Sequence, residues 1–69
     1  MKITEQNREQ VKAFARILIN IGVSQLAGEM IVAMLKTKEQ MDATVRYIEK
    51  NLRVTEEQLL EQVAKIVEG

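Results

Sequence analysis

Apolar residues recur every three or four positions along most of the chain, which is the period of amphipathic α-helices. In the first stretch this spacing places Val11, Phe14, Leu18 and Ile21 on one stripe. The full pattern predicts four helices, at about residues 5–21, 25–36, 38–52 and 56–68. We therefore expect an all-α fold, a small bundle of four short helices that forms one domain over residues 1–69.

Polar residues and one glycine mark where these helices begin and end. Thr4 precedes the first helix as a cap, and Gly22 follows it where a left-handed residue closes a helix. Ser24 is an N-cap for the second helix. Thr55 and Gln58 have the spacing of a capping box at the start of the fourth. The links between helices are therefore predicted to be short.

The boundary between the second and third helices has two interpretations. Thr37 and Gln40 have the spacing of a further capping box, which favours a break near Thr37. The alternative is three helices, with residues 25–52 as one long helix. It rests on an unbroken heptad spacing that runs through Ala27, Ile31, Met34, Lys38, Met41, Val45, Ile48 and Leu52.

The second helix carries more apolar surface than one buried stripe requires. Gln25 and Glu29 alone mark a polar side, and they span only about 40° of the helical wheel. In the first helix, Ile17 and Ile19 also fall outside the main stripe. Such surface is covered either by the bundle itself, with the second helix at its centre, or by a second chain. We expect a second chain, as a homodimer or with another protein partner, at Ile17, Gly28, Val32 and Leu35.

The missing residue types exclude several kinds of chemistry. The chain has no His, Cys, Pro or Trp, so it has no imidazole base, thiolate nucleophile or disulfide. Paired carboxylates occur at Glu57 and Glu61 and at Asp42 and Glu49, on helix faces expected to be wet rather than in an apolar cleft that raises a pKa. No glycine-rich phosphate loop is present. We therefore expect no catalytic residue, cofactor or metal, and a non-enzymatic interaction or regulatory module.

Charge is balanced over the chain but not along it. Ten Lys and Arg residues match ten Asp and Glu residues, which argues against nonspecific binding to nucleic acid or to an anionic membrane. Residues 1–16 are basic and residues 55–69 are acidic, so the first and last helices would attract each other if they lay side by side. No targeting segment or bilayer-spanning stretch is visible, so a cytoplasmic location is expected.

A different function is suggested by residues 21–25, which resemble the turn of a helix-turn-helix. The pattern departs from that motif at Leu18, where a small residue is usual, and at Gly28, where a buried aliphatic is usual. The helix that would read the bases also lacks cations before Lys36. The alternative is thus a small dimeric DNA-binding regulator that contacts phosphates through Arg46, Lys50 and Arg53.

Overall fold

The computed structural model describes residues 1–69 and contains four helices and no strand. The helices are α1 (Arg8–Asn20), α2 (Gln25–Met34), α3 (Lys38–Lys50) and α4 (Glu56–Glu68). The predicted all-α class and the four-helix division are therefore confirmed. The alternative of one helix over residues 25–52 is wrong, because residues 35–37 leave the helical conformation.

The four helices pack as a ring of neighbouring pairs. α1 packs against α2 and α3, and α4 packs against the same two helices, whereas no Cα atoms of α1 and α4, or of α2 and α3, come within 8 Å of each other. The basic first helix and the acidic last helix therefore lie diagonally, and the predicted attraction does not hold them side by side. α2 has two helical neighbours, as every other helix does, and so is not a central helix covered on all sides.

The core is aliphatic apart from one aromatic ring. The radius of gyration, 10.9 Å, matches the value of about 11 Å expected for a compact chain of this length. All four helices and the first two links contribute buried apolar side chains. Val11 is also buried, and the ten that form one contiguous cluster are Phe14, Leu18, Val23, Ala27, Ile31, Leu35, Met41, Ile48, Leu59 and Val63.

Two capping boxes fix the starts of α3 and α4, as predicted. The Thr37 hydroxyl accepts from the Gln40 backbone N–H at 3.1 Å, and the Gln40 side chain accepts from the Thr37 N–H at 3.3 Å. Thr55 and Gln58 make the same reciprocal pair at 3.1 and 3.0 Å. These bonds satisfy backbone donors that a helix start leaves unpaired. At Thr37 they end the heptad pattern and separate α2 from α3.

The end of α1 is a Schellman motif built on Gly22. Gly22 has φ +90°, which a residue with a Cβ rarely adopts. Its N–H donates to the Ile19 carbonyl, and the Val23 N–H donates to the Leu18 carbonyl, both at 3.0 Å. Val23 and Leu18 are both buried in the core. The motif turns the chain into Ser24, whose hydroxyl caps α2 by accepting from the Ala27 N–H at 3.2 Å.

α1 begins three residues later than the sequence predicted. Thr4 and Asn7 bond each other instead of capping a helix at Glu5, since the Thr4 N–H donates to Asn7 Oδ1 at 2.8 Å and the Asn7 N–H to the Thr4 hydroxyl at 3.3 Å. The Asn7 amide also donates to the Lys2 carbonyl at 2.9 Å. These local bonds compete with the first helical turn. Residues 5–7 therefore form a turn, and the helix starts at Arg8.

Two other helices are shorter than predicted, and one of the shortened ends leaves Leu52 of the heptad pattern exposed. α2 ends at Met34 and α3 ends at Lys50, each two residues early. Leu52 thus lies beyond its helix, and 70% of it is exposed. Met30, within α2, is 50% exposed. α4 has the predicted bounds.

Candidate interaction groove

An apolar groove runs between α1 and α2. Its volume is about 570 Å³, and nine of its thirteen lining residues are hydrophobic. We call it the α1–α2 groove. Its wall residues include Ile3, Ala15, Ile19, Gly28, Glu29 and Val32. A cleft of this size and character is suited to receive side chains of another molecule.

The floor of the groove depends on a pairing of a large with a small residue. Leu18 on α1 is 1% exposed, and a Cβ built on Gly28 of α2 would lie 3.8 Å from Leu18 Cδ1. In a helix-turn-helix the small residue is usual on the first helix and the aliphatic on the second, so the two roles are exchanged here. The exchange accounts for both departures from that motif.

The rims combine exposed isoleucines with charges of opposite sign. Ile19 and Ile3 are 64% and 57% exposed, although both line the groove. Glu29 lies on the α2 side. On the α1 side, Arg8 and Lys12 line a shallow depression of about 340 Å³ that shares three of its five residues with the groove. Two cations thus lie beside the α1 side of the groove, and the α2 side has both Glu29 and the amino group of Met1.

The segment before α1 closes one end of the groove. The amino group of Met1 donates to the carbonyl of Val32 and, at 3.3 Å, to that of Ala33. A positive charge is favourable at a helix C-terminus, and the last turn of α2 has no basic residue of its own. This contact places Ile3 against the groove.

The predicted interface residues divide between groove and core. Gly28 and Val32 line the groove. Ile17 is half-buried and packs against the core outside the groove. Leu35 is 1% exposed, because it follows the end of α2 in an extended conformation and joins the core, so a second chain cannot contact it. The sequence pointed to Ile19 as lying outside the buried stripe of α1 but did not place it in the interface.

The cations of the DNA-binding alternative lie apart from the α1–α2 groove. Arg46 and Lys50 are exposed on α3. Arg53 lies in the α3–α4 link and lines a polar cleft of about 380 Å³ that neither of the other two lines. α2, which would enter the DNA in a helix-turn-helix, has Glu29 as its sole charged residue. An acidic side chain there disfavours contact with phosphates.

Other kinds of site find no support in the arrangement of side chains. No group of three or more His, Cys, Asp or Glu residues comes close enough to hold a metal ion. None of the four helices combines the length and the apolar character that crossing a bilayer requires. Comparisons of the chain with protein-family models, with curated proteins and with solved structures gave no match. The α1–α2 groove is therefore the feature on which a function can be argued.

Proposed function

We propose that the protein is a non-enzymatic interaction module that binds a second copy of itself through the α1–α2 groove. The observation that carries this proposal is the position of α2. Eight of its ten residues are apolar or Gly, yet it packs against only α1 and α4. Part of its remaining surface, at Gly28, Val32 and Ala33, lines the groove, whereas Leu26 and Met30 are exposed outside it. Apolar surface of this kind leaves water only when a further partner covers it.

The total accessible surface supports the proposal. A compact monomer of 7.9 kDa is expected to expose about 4,400 Å². The protein exposes 5015 Å² although its radius of gyration is ordinary. The protein therefore exposes about 600 Å² more than an average monomer of its mass.

A second copy is the favoured occupant because the groove supplies both halves of a contact. Ile19 and Ile3 are exposed at the rim of the groove. The groove of a second chain is an apolar cleft into which these two side chains could insert. A two-fold axis uses such a patch twice, so each rim isoleucine enters the partner's groove. Gly28, which has no side chain, lets the two backbones approach closely.

Sedimentation equilibrium of a matched pair of variants tests this proposal. Ile19 and Leu52 are similarly exposed aliphatic residues, but only Ile19 lines the groove. Between ~10 μM and ~1 mM, the wild-type mass should rise toward that of a dimer, since a dissociation constant in this range is ordinary for a weak association. Ile19→Asp should remain a monomer over the same range, because the interface would bury an unpaired carboxylate.

Leu52→Asp is the control for added charge and lost apolar surface. It should dimerise as the wild type does. Equal dimerisation of wild type and Ile19→Asp would show that the groove is not the interface. Loss of dimerisation in Leu52→Asp alone would place the interface at the α3–α4 link.

A further inference from the structure

The α1–α2 groove adjoins a depression that contains two cations. The depression has five lining residues, which are Ile3, Arg8, Val11, Lys12 and Ala15. Three of them, Ile3, Val11 and Ala15, also line the groove, so the two spaces meet along α1. An apolar cleft beside a pair of cations is suited to a molecule that has an apolar tail and an anionic head.

The groove has the size and the surface that an apolar tail requires. Its volume of about 570 Å³ lies within the range of about 300–1,000 Å³ that is typical of small-molecule sites. Ile19 and Val32 line it with branched apolar side chains, and Gly28 adds no side chain to the wall. Each methylene group that leaves water in such a cleft contributes to binding. The groove is therefore suited to a linear alkyl chain.

The distribution of charge favours one place for the anionic head. Arg8 and Lys12 are exposed one helical turn apart on α1, and no acidic residue lines the depression. In the groove itself, Glu29 repels an anion. The amino group of Met1 already donates to two carbonyls at the end of α2, whose partial negative charge offsets its own charge. A carboxylate is therefore best placed beside Arg8 and Lys12.

We propose that the α1–α2 groove binds a fatty acid, with its alkyl tail in the groove and its carboxylate beside Arg8 and Lys12. The binding does not depend on self-association. One consequence rests on the function proposed above: the tail and a second copy cover the same apolar residues, so they compete. The fatty acid then separates the dimer and couples the oligomeric state to its own concentration.

Titration with laurate, kept below its micelle concentration, tests the binding by NMR of methyl-labelled protein at ~20 μM, where a weak dimer is mostly dissociated. The methyl signals of Ile19 and Val32 should shift and reach saturation. Hexanoate should bind at least tenfold more weakly, because it has six fewer methylene groups to bury. Dodecyltrimethylammonium has a similar tail and a cationic head, and should bind about tenfold more weakly than laurate.

A matched pair of double variants tests the place of the carboxylate. One combines Arg8→Gln with Lys12→Gln, and the other combines Arg46→Gln with Lys50→Gln. The second pair is also an exposed Arg and Lys four residues apart, but on α3 and outside both the groove and the depression. The first variant should bind laurate about tenfold more weakly than the wild type, and the second should bind it equally well. Glutamine is a good helix former, so both variants should fold.

Three results would overturn the proposal. The first is the absence of a saturable shift up to ~1 mM laurate. The second is a set of shifts confined to Leu26, Met30 and Leu52, which lie outside the groove. The third is equal laurate affinity of the two double variants, which would show that Arg8 and Lys12 do not bind the carboxylate.

Sedimentation of the wild type at ~1 mM with excess laurate tests the competition separately. Laurate should convert the dimer to the monomer. A dimer that persists with laurate in the groove would contradict the competition. A wild type that is a monomer without laurate would contradict the self-association alone, because the titration at ~20 μM does not require a dimer.

Discussion

The backbone N–H of Ser24 donates a hydrogen bond of 2.9 Å to Oε1 of Glu56. These residues lie 32 positions apart in the chain and join the beginnings of α2 and α4. Helix N-termini favour negative charge, so one carboxylate is placed to stabilise two helices at once. The contact ties α2 to one of its two helical neighbours and so positions one wall of the α1–α2 groove.

Glu56→Ala should lower the free energy of unfolding by about 0.5–1 kcal/mol more than Glu57→Ala. Both residues lie in the first turn of α4 and carry the same charge, but the Ser24 N–H bonds only Glu56. The comparison therefore removes the general effect of an acid at a helix start. Urea unfolding of both variants at low protein concentration measures the difference. Equal losses would show that the bond between α2 and α4 contributes nothing.

Thr37→Ala should destabilise the protein by about 1 kcal/mol, because it removes the hydroxyl that caps α3. If residues 25–52 formed one continuous helix, the same change would replace a β-branched residue in a helix interior with the best helix former and would stabilise the protein. Denaturant unfolding therefore distinguishes a helix start at Thr37 from one continuous helix, because the free energy of unfolding falls in the first case and rises in the second. Thr55→Ala, at the start of α4, should cost about as much as Thr37→Ala.

Gly28→Ala and Gly22→Ala should change stability in opposite directions. Gly28 is helical, and a Cβ there makes only an ordinary contact with Leu18, so alanine should stabilise the protein by about 0.5–1 kcal/mol. Gly22 has φ +90°, so alanine there should destabilise it by about 1 kcal/mol or more. Thermal unfolding at low concentration compares the two. A loss of stability in Gly28→Ala would mean that α1 and α2 pack more closely than the structure shows.

Thr44 should tolerate valine better than serine. Its side chain is fully buried, and its hydroxyl donates to the Gln40 carbonyl of its own helix at 2.9 Å. Thr44→Val keeps the shape of the side chain. It removes the hydrogen bond and also the cost of burying a hydroxyl group, so the free energy of unfolding should change by no more than about 0.5 kcal/mol. Thr44→Ser keeps the hydroxyl but deletes a packed methyl group, which should cost about 1 kcal/mol. Urea unfolding gives both values, and the reverse order would show that the hydroxyl is essential.

Local signals in the sequence were sufficient to predict most of the helix boundaries. Gly22, Ser24, Thr37 and Thr55 each act within three or four residues of the chain, so their roles do not depend on the tertiary fold. Thr4 was the exception. Its bonds to Asn7 have local spacing too, but they compete with a helical turn, and spacing alone does not decide such a competition.

Contacts between distant segments determined what the sequence could not predict. The pairing of Leu18 with Gly28 and the bond from Ser24 to Glu56 depend on how helices meet in space. The helical pattern placed Leu35 in the predicted interface, but the end of α2 places its side chain in the core. The excess of apolar residues on α2 was visible in the sequence, whereas the groove that results from it required the fold.

The proposed contact between the grooves of two copies is tested most directly by an isotope-filtered NOE measurement. A mixture of labelled and unlabelled wild-type chains at ~1 mM, a concentration at which even weak dimers form, reports only contacts between different copies. We predict intermolecular signals from the methyl groups of Ile19 and Val32. A complete absence of intermolecular signals, or signals confined to Leu26, Met30 and Leu52, would contradict self-association through the α1–α2 groove.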